Sequence, residues 1–276
     1  MPVPDEELHP TATGDAAKTV AEHQAPQDLI FWSGWFCPFN QRVWITLEER
    51  GIPYQYKEVN PYKKEKHFLG KKKNSLYTYT HVLTRIAWVD INPKGLVPAV
   101  EYKGKALYES IILCEFLEDA YPSYTPSLLP SDPFDRARAR IWIDHTTKFI
   151  VPAWQRLLMA QTPETQDAAR KELYDGQRKL AEQIKGPFFA GEAFTLVDVI
   201  NAPWVARDYI LAEHRGYDRD AVGNGWSAYA EAVSKRDSVT KTTSDRDKLQ
   251  VIYDRYLRDE AQSEAAKAIR AGRALP

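Results

Sequence analysis

Asp28-Leu29-Ile30-Phe31-Trp32-Ser33-Gly34-Trp35-Phe36-Cys37-Pro38-Phe39-Asn40-Gln41-Arg42 joins an apolar run to a cysteine and a proline. Asp28 to Trp32 reads as a buried strand, Ser33-Gly34-Trp35 as a turn, and Pro38 as the first residue of a helix, where a missing N–H costs nothing. Cys37 therefore stands at or beside the helix N-cap. Unpaired backbone N–H groups and the positive helix end favour thiolate there, which makes Cys37 a candidate nucleophile. The alternative is a small buried hydrophobe, the commoner fate of a lone cysteine.

Phe39, Val43 and Leu47 give the helix an apolar face, Gly51 ends it before Pro53, and Tyr54 to Val59 alternates as a second strand. Strand, helix and strand with a cysteine at the first turn make the start of a thioredoxin-like βαβ unit. Position 40 is Asn, so no second cysteine completes a dithiol there. Further on, Asn92-Pro93-Lys94-Gly95-Leu96-Val97-Pro98-Ala99-Val100 leads into a short strand. Pro98 at its start suits a cis bond that presents backbone groups to a ligand. Lys103-Gly104-Lys105 makes a hairpin turn, and Glu109-Ser110 precedes an apolar helix that runs to Tyr121-Pro122. Ser110 as its cap would offer an anion site; plain helix capping is the competing reading.

The second half is helical. Pro122 to Pro133 is a Pro/Ser-rich linker that ends on Asp132 as N-cap and Pro133 as first helical residue. Ile141, Trp142, His145, Phe149 and Ile150 form a stripe that Pro152 should kink, with His145 expected in the core. Thr195-Leu196-Val197-Asp198 has the spacing of a capping box with Asp in place of Glu. Composition suits a cytoplasmic enzyme: 276 residues, 43% hydrophobic, net charge −1 and only two cysteines, Cys37 and Cys114. Cys114 reads as inert core. Residues 1–27 are polar without an apolar h-region, so a disordered tail is expected, with neither signal peptide nor membrane anchor. Metal-ligand spacing, P-loop, GxSxG and GxGxxG patterns are absent, and Lys63-Lys64-Glu65-Lys66-His67 is too short a run to argue for nucleic acid.

Cys37-Pro38-Phe39 followed by Arg42, Gly95-Leu96-Val97-Pro98 and Tyr108-Glu109-Ser110-Ile111 together resemble the glutathione transferase superfamily, and most of all its omega class. The resemblance covers nearly all of the chain after residue 27. It implies an α/β thioredoxin-like N-terminal domain over 28–122, a linker over 123–133 and an all-α domain over 134–276. It further implies a catalytic Cys37, glutathione held by Val97, Pro98, Glu109 and Ser110, and a lysine contact that equal spacing puts at Lys64, with Lys63 and Lys66 as rivals. Phe36, Trp204, Arg207, Tyr253 and Tyr256 become candidates for the second-substrate pocket. Trp204 as core packing and Arg207 as a structural charge weigh equally.

The chain departs from the family by about twenty extra residues over 68–89, an insert beside the proposed glutathione site that also weakens the spacing argument for Lys64. The implied activity is glutathione-dependent thiol transfer or reduction through a mixed disulfide on Cys37, in a homodimer without metal. A conjugating or isomerising transferase, with Cys37 or Ser33 stabilising the thiolate of glutathione, is the runner-up. A non-catalytic protein of the same fold that binds hydrophobic ligands or partners comes third.

Overall fold

The computed structural model describes residues 8–59 and 91–276; Lys64 and the insert over 68–89 lie outside the described residues. β1 (Leu29–Ser33), α2 (Pro38–Arg50) and β2 (Gln55–Glu58) are followed by β3 (Ala99–Tyr102), β4 (Lys105–Tyr108) and α3 (Ser110–Ala120). The strands form one mixed sheet in the order β2-β1-β3-β4. β1 runs parallel to β2, placing Phe31 opposite Tyr56, and antiparallel to β3, placing the same Phe31 opposite Val100. This is a thioredoxin-like sheet. Lys103 and Gly104 both have positive φ, 50° and 74°, as a two-residue turn needs if it is to match the twist of β3 and β4.

α2 packs between α3 and the later helix α7 (Leu196–Val205), and its polar side chains tie the three together. Arg50, nearly buried, donates to the carbonyls of Leu117 at 2.6 Å and of Tyr121 and Tyr124 at 2.8 Å, and lies 3.2 Å from Glu118 Oε1. One guanidinium thus pins the start of the linker to the sheet domain. Asp132 then caps α4 (Pro133–His145) by accepting from the N–H groups of Phe134 and Asp135, at 2.9 Å each.

Two expectations are corrected. Residues 14–22 are a helix, α1 (Gly14–Glu22), not a disordered tail. Leu8, Ala12 and Ala16 are buried, Thr19 Oγ1 donates to Lys241 O at 2.8 Å, and Trp35 Nε1 donates to His9 O at 3.0 Å. Low hydropathy hid the docking because small side chains and polar contacts make it. At Pro152, where a kink was expected, a π-helical turn, Thr146–Ile150, joins α4 to α5 (Val151–Met159), with the proline at the second position of α5. Ser110 does not cap α3. Glu109 is the residue before the helix, at φ 76°, and Ser110 is its first residue.

α6 (Pro163–Ala181), α7, α8 (Asp208–Arg215), α9 (Trp226–Ser234), α10 (Asp237–Thr240), α11 (Arg246–Leu257) and α12 (Glu264–Arg270) complete the described chain. His145 Nε2 lies 2.8 Å from Gly176 O, a structural contact to α6. The Thr195/Asp198 box is present and buried. Asp198 accepts from Thr195 N–H and Thr195 Oγ1 at 2.7 Å each and from Phe189 N–H at 2.8 Å. Burial nonetheless pushes its carboxyl up to about 6, the hydrogen bonds pulling the other way. Replacing this carboxylate strands three buried donors, so Asp198→Ala should lose at least about 2 kcal/mol in chemical denaturation. An unchanged midpoint would show that the box does not hold α7.

Candidate active site

The turn before α2, the segment leading into β3, the starts of α2 and α3, and helices α5, α11 and α12 contribute to the lining of a cavity of about 250 Å³. Cys37, Val97, Pro98, Glu109 and Ser110 line it on the sheet side. Phe36, Tyr253 and Tyr256 line it too, from the turn before α2 and from α11. The motif residues thus converge on one opening, although some seventy positions separate Cys37 from Ser110. Val97–Pro98 is a cis peptide.

Cys37 is the N-cap of α2, half-buried, with Pro38 as first helical residue. Its N–H donates to Gly34 O at 3.0 Å and its carbonyl accepts from Gln41 N–H at 3.1 Å, which fixes the thiol at the mouth of the helix. Burial pushes this thiol up, and the N–H groups of Asn40 and Phe39 and the charges of Arg207 and Arg42 pull against it. The expectation of a lowered thiol is therefore corrected: desolvation outweighs the helix end. Cys114 is far less available. It is fully buried, accepts from Thr46 Oγ1 at 3.3 Å, and is pushed up to about 12 by burial.

Glu109 sits at a φ that L side chains rarely adopt, a conformation costing about 1–3 kcal/mol that directs the residue to the rim of the cavity. Its carboxylate pairs with Lys94 at 2.7 Å, both partly exposed, so an incoming ammonium competes only with a weak solvated pair. Ser110 is buried one residue further, its Oγ accepting from Arg42 Nη1 at 3.4 Å.

Trp204 and Arg207 do not line the cavity. Trp204 is 2% exposed and lies edge-on to Phe39, ring centroids 5.2 Å apart, while Arg207 is fully buried and donates to Gln41 Oε1 and, at 2.8 Å, to Pro203 O. Both side chains fold inward between α7 and α2, so the packing alternative holds for them. Ser33 is also fully buried and outside the cavity lining, which removes it as a thiolate stabiliser.

Sequence reasoning passed over Gln155 and Ile252, which also line the cavity, and Glu58, which braces the turn before Cys37 from outside that lining. Glu58 Oε1 accepts from Trp35 N–H at 3.0 Å and Oε2 from Tyr56 Oη at 3.0 Å, holding the turn that precedes Cys37. Burial pushes its carboxyl up to about 7. The signal available was an acidic residue at an inward position of a strand ending beside a reactive turn.

The family model for the glutathione S-transferase N-terminal domain matches residues 36–120. The protein named "Probable glutathione S-transferase parC", from Nicotiana tabacum, is 30% identical over 227 residues, covering 82% of this chain and 93% of that one. The chain belongs to the glutathione transferase family. Glutathione S-transferase omega-1 of Sus scrofa is 27% identical over 261 residues, 91% of this chain and 98% of its own. Among solved structures, glutathione transferase Omega 3C from Trametes versicolor superposes with a TM-score of 0.79 at 58% identity, over 91% of this chain and 100% of its own. The omega-class likeness thus extends through both the sheet and the helical part.

The different settings of the two thiols give an expected outcome. Iodoacetamide at pH 8 should modify one cysteine of the folded protein, Cys37, with Cys114 labelled only after unfolding; peptide mass mapping reads this. Equal labelling of both in the folded state would contradict the cavity geometry.

Proposed function

We propose that this glutathione transferase acts as a thiol transferase or reductase, with Cys37 as the nucleophile. The carrying observation is the convergence of a helix-capping cysteine with Val97, Pro98, Glu109 and Ser110 on one cavity. Glutathione presents an ammonium and two carboxylates. Glu109 takes the ammonium, the Ser110 hydroxyl and the start of α3 take the neighbouring carboxylate, and the Val97 backbone pairs with the cysteinyl portion.

The Cys37 thiolate attacks the glutathionyl sulfur of a mixed disulfide, R–S–S–G. The S–S bond breaks, R–S⁻ leaves and takes a proton, and Cys37 carries the glutathionyl group. A second glutathione thiolate then attacks that group, releasing oxidised glutathione and restoring Cys37. One glutathione thiol is consumed: its sulfur leaves in oxidised glutathione, joined to the glutathionyl half of the substrate, and its proton balances the one taken by R–S⁻, so no second protein cysteine is needed. Phe36, Tyr253 and Tyr256 supply an aromatic wall for the R group. Homodimerisation is part of the same proposal, supported by the exposed apolar side chains Ile112, Phe134, Ile141 and Phe149. So is a reducing, cytoplasmic setting, supported by two free cysteines.

Comparing wild type with Cys37→Ser tests the chemistry. Reduction of a glutathione mixed disulfide should fall at least about a hundredfold. Conjugation of glutathione to an aromatic halide should be kept or gained, because a hydroxyl still hydrogen-bonds a bound thiolate. Unchanged disulfide reduction would place the chemistry elsewhere and favour the conjugating alternative.

A further inference from the structure

Two arginines are buried against the helix that Cys37 caps: Arg42 is part of α2, and Arg207 reaches it through Gln41. Arg42 is 1% exposed and Arg207 0%. Arg42 donates through Nε to Ile200 O at 3.1 Å and through Nη1 to Ser110 Oγ at 3.4 Å, and its guanidinium lies 4.4 Å from the centre of the Trp204 ring. Arg207 donates through Nη1 to Gln41 Oε1 and Pro203 O. Arg42 Nη2 and Arg207 Nε and Nη2 are buried without a hydrogen-bond partner among the described residues. No carboxylate among those residues forms an ion pair with either guanidinium. The bonds they make are to neutral oxygens.

That arrangement is costly for folding alone. A buried charge without a counter-ion loses its hydration and gains little back, and apolar residues of similar volume commonly serve stability as well or better. The two cations are therefore available to a negative charge that forms during a reaction. Gln41 couples Arg207 to the site: it stands one helical turn after Cys37, its N–H donates to Cys37 O at 3.1 Å, and its side-chain amide also donates to Thr243 Oγ1 at 2.8 Å. Other groups whose titration feels these cations are a thiol and two phenols. Cys114 faces Arg42, while Tyr209 and Tyr253 face Arg207, and burial pushes all three up. Glu109 with Lys94, and Glu264 and Lys267 of α12, stand at the rim of the cavity or beside it. Cys37 is left as the group in the site whose ionisation sets one negative charge against these two cations.

We propose that Arg207, together with Arg42, is a positioning residue for thiol transfer, a buried cationic floor whose counter-ion is the Cys37 thiolate formed during turnover. This rests on the Cys37 reading given above and deepens it. Burial favours the neutral thiol; during attack and release the floor stabilises the sulfur anion. Burial of the same guanidinium is what kept Arg207 from lining the second-substrate pocket.

The test compares Arg207→Met and Arg207→Lys with wild type, reading the rate of Cys37 alkylation from pH 6 to 10 together with thermal stability. Loss of a nearby cation raises the pH at which a thiol ionises. The methionine variant should therefore alkylate about tenfold more slowly at pH 8, with the rates converging as pH rises. It should melt no lower than wild type, and the lysine variant should retain most of the wild-type profile. Glu58 is unchanged throughout, so its own titration near 7 cancels in the comparison. Should Arg207→Met fail to fold, Arg207→Gln carries the same expected shift while keeping a donor for Pro203 O. An unshifted profile in the neutral variant, with or without a lower melting temperature, overturns the proposal and makes Arg207 structural. A wild type in which Cys37 reacts no faster than Cys114 would instead reject the Cys37 chemistry itself.

Discussion

Arg42 is the side chain on which the two halves of the molecule meet. It leaves the first turn of α2, crosses to Ile200 O in α7, touches Ser110 Oγ in α3, and stacks on Trp204. A sheet domain and a helical domain held by surface contacts alone would be free to shear. A guanidinium buried at their junction fixes the distance between the helix that carries Cys37 and the helix that begins at Ser110. The cavity exists because that distance is fixed. Arg50, at the other end of α2, does the same for the linker through four backbone carbonyls.

The constraint has a chemical consequence at the thiol. A helix N-terminus favours a thiolate, but Cys37 shares its cavity with Phe36, Phe39 and the side chains of α11, and desolvation outweighs the helix end. Reactivity therefore depends on what surrounds the thiol beneath and what enters above. Arg42 and Arg207 supply charge from below. Glu109, held at an unusual backbone angle, presents its carboxylate at the rim, where an ammonium can replace Lys94.

Features set by near neighbours in the chain were legible in the sequence. Cys37-Pro38 announces its own helix start, Lys103-Gly104 its turn, and Thr195 with Asp198 its buried box, because each depends on residues within a few positions. Features set by distant partners were not. Whether Arg207 faces the cavity or the core is decided by Gln41, 166 positions away, and by the depth of Trp204 against Phe39. The docking of residues 8–22 was hidden for the same reason: small side chains meet a surface near Lys241 and Ser244 that no local pattern reveals. Even at Cys37 the sequence predicted the local helix effect correctly but carried no information about enclosure.

The account stands on Cys37 as the atom that takes the glutathionyl group. Incubating the reduced protein with a slight molar excess of oxidised glutathione, then mapping the adduct by tandem mass spectrometry without reductant, tests that claim directly. One glutathionyl group should be found on the peptide carrying Cys37 and none on the peptide carrying Cys114, and added glutathione should remove it. A protein that stays unmodified, or carries the group on Cys114, would contradict the account.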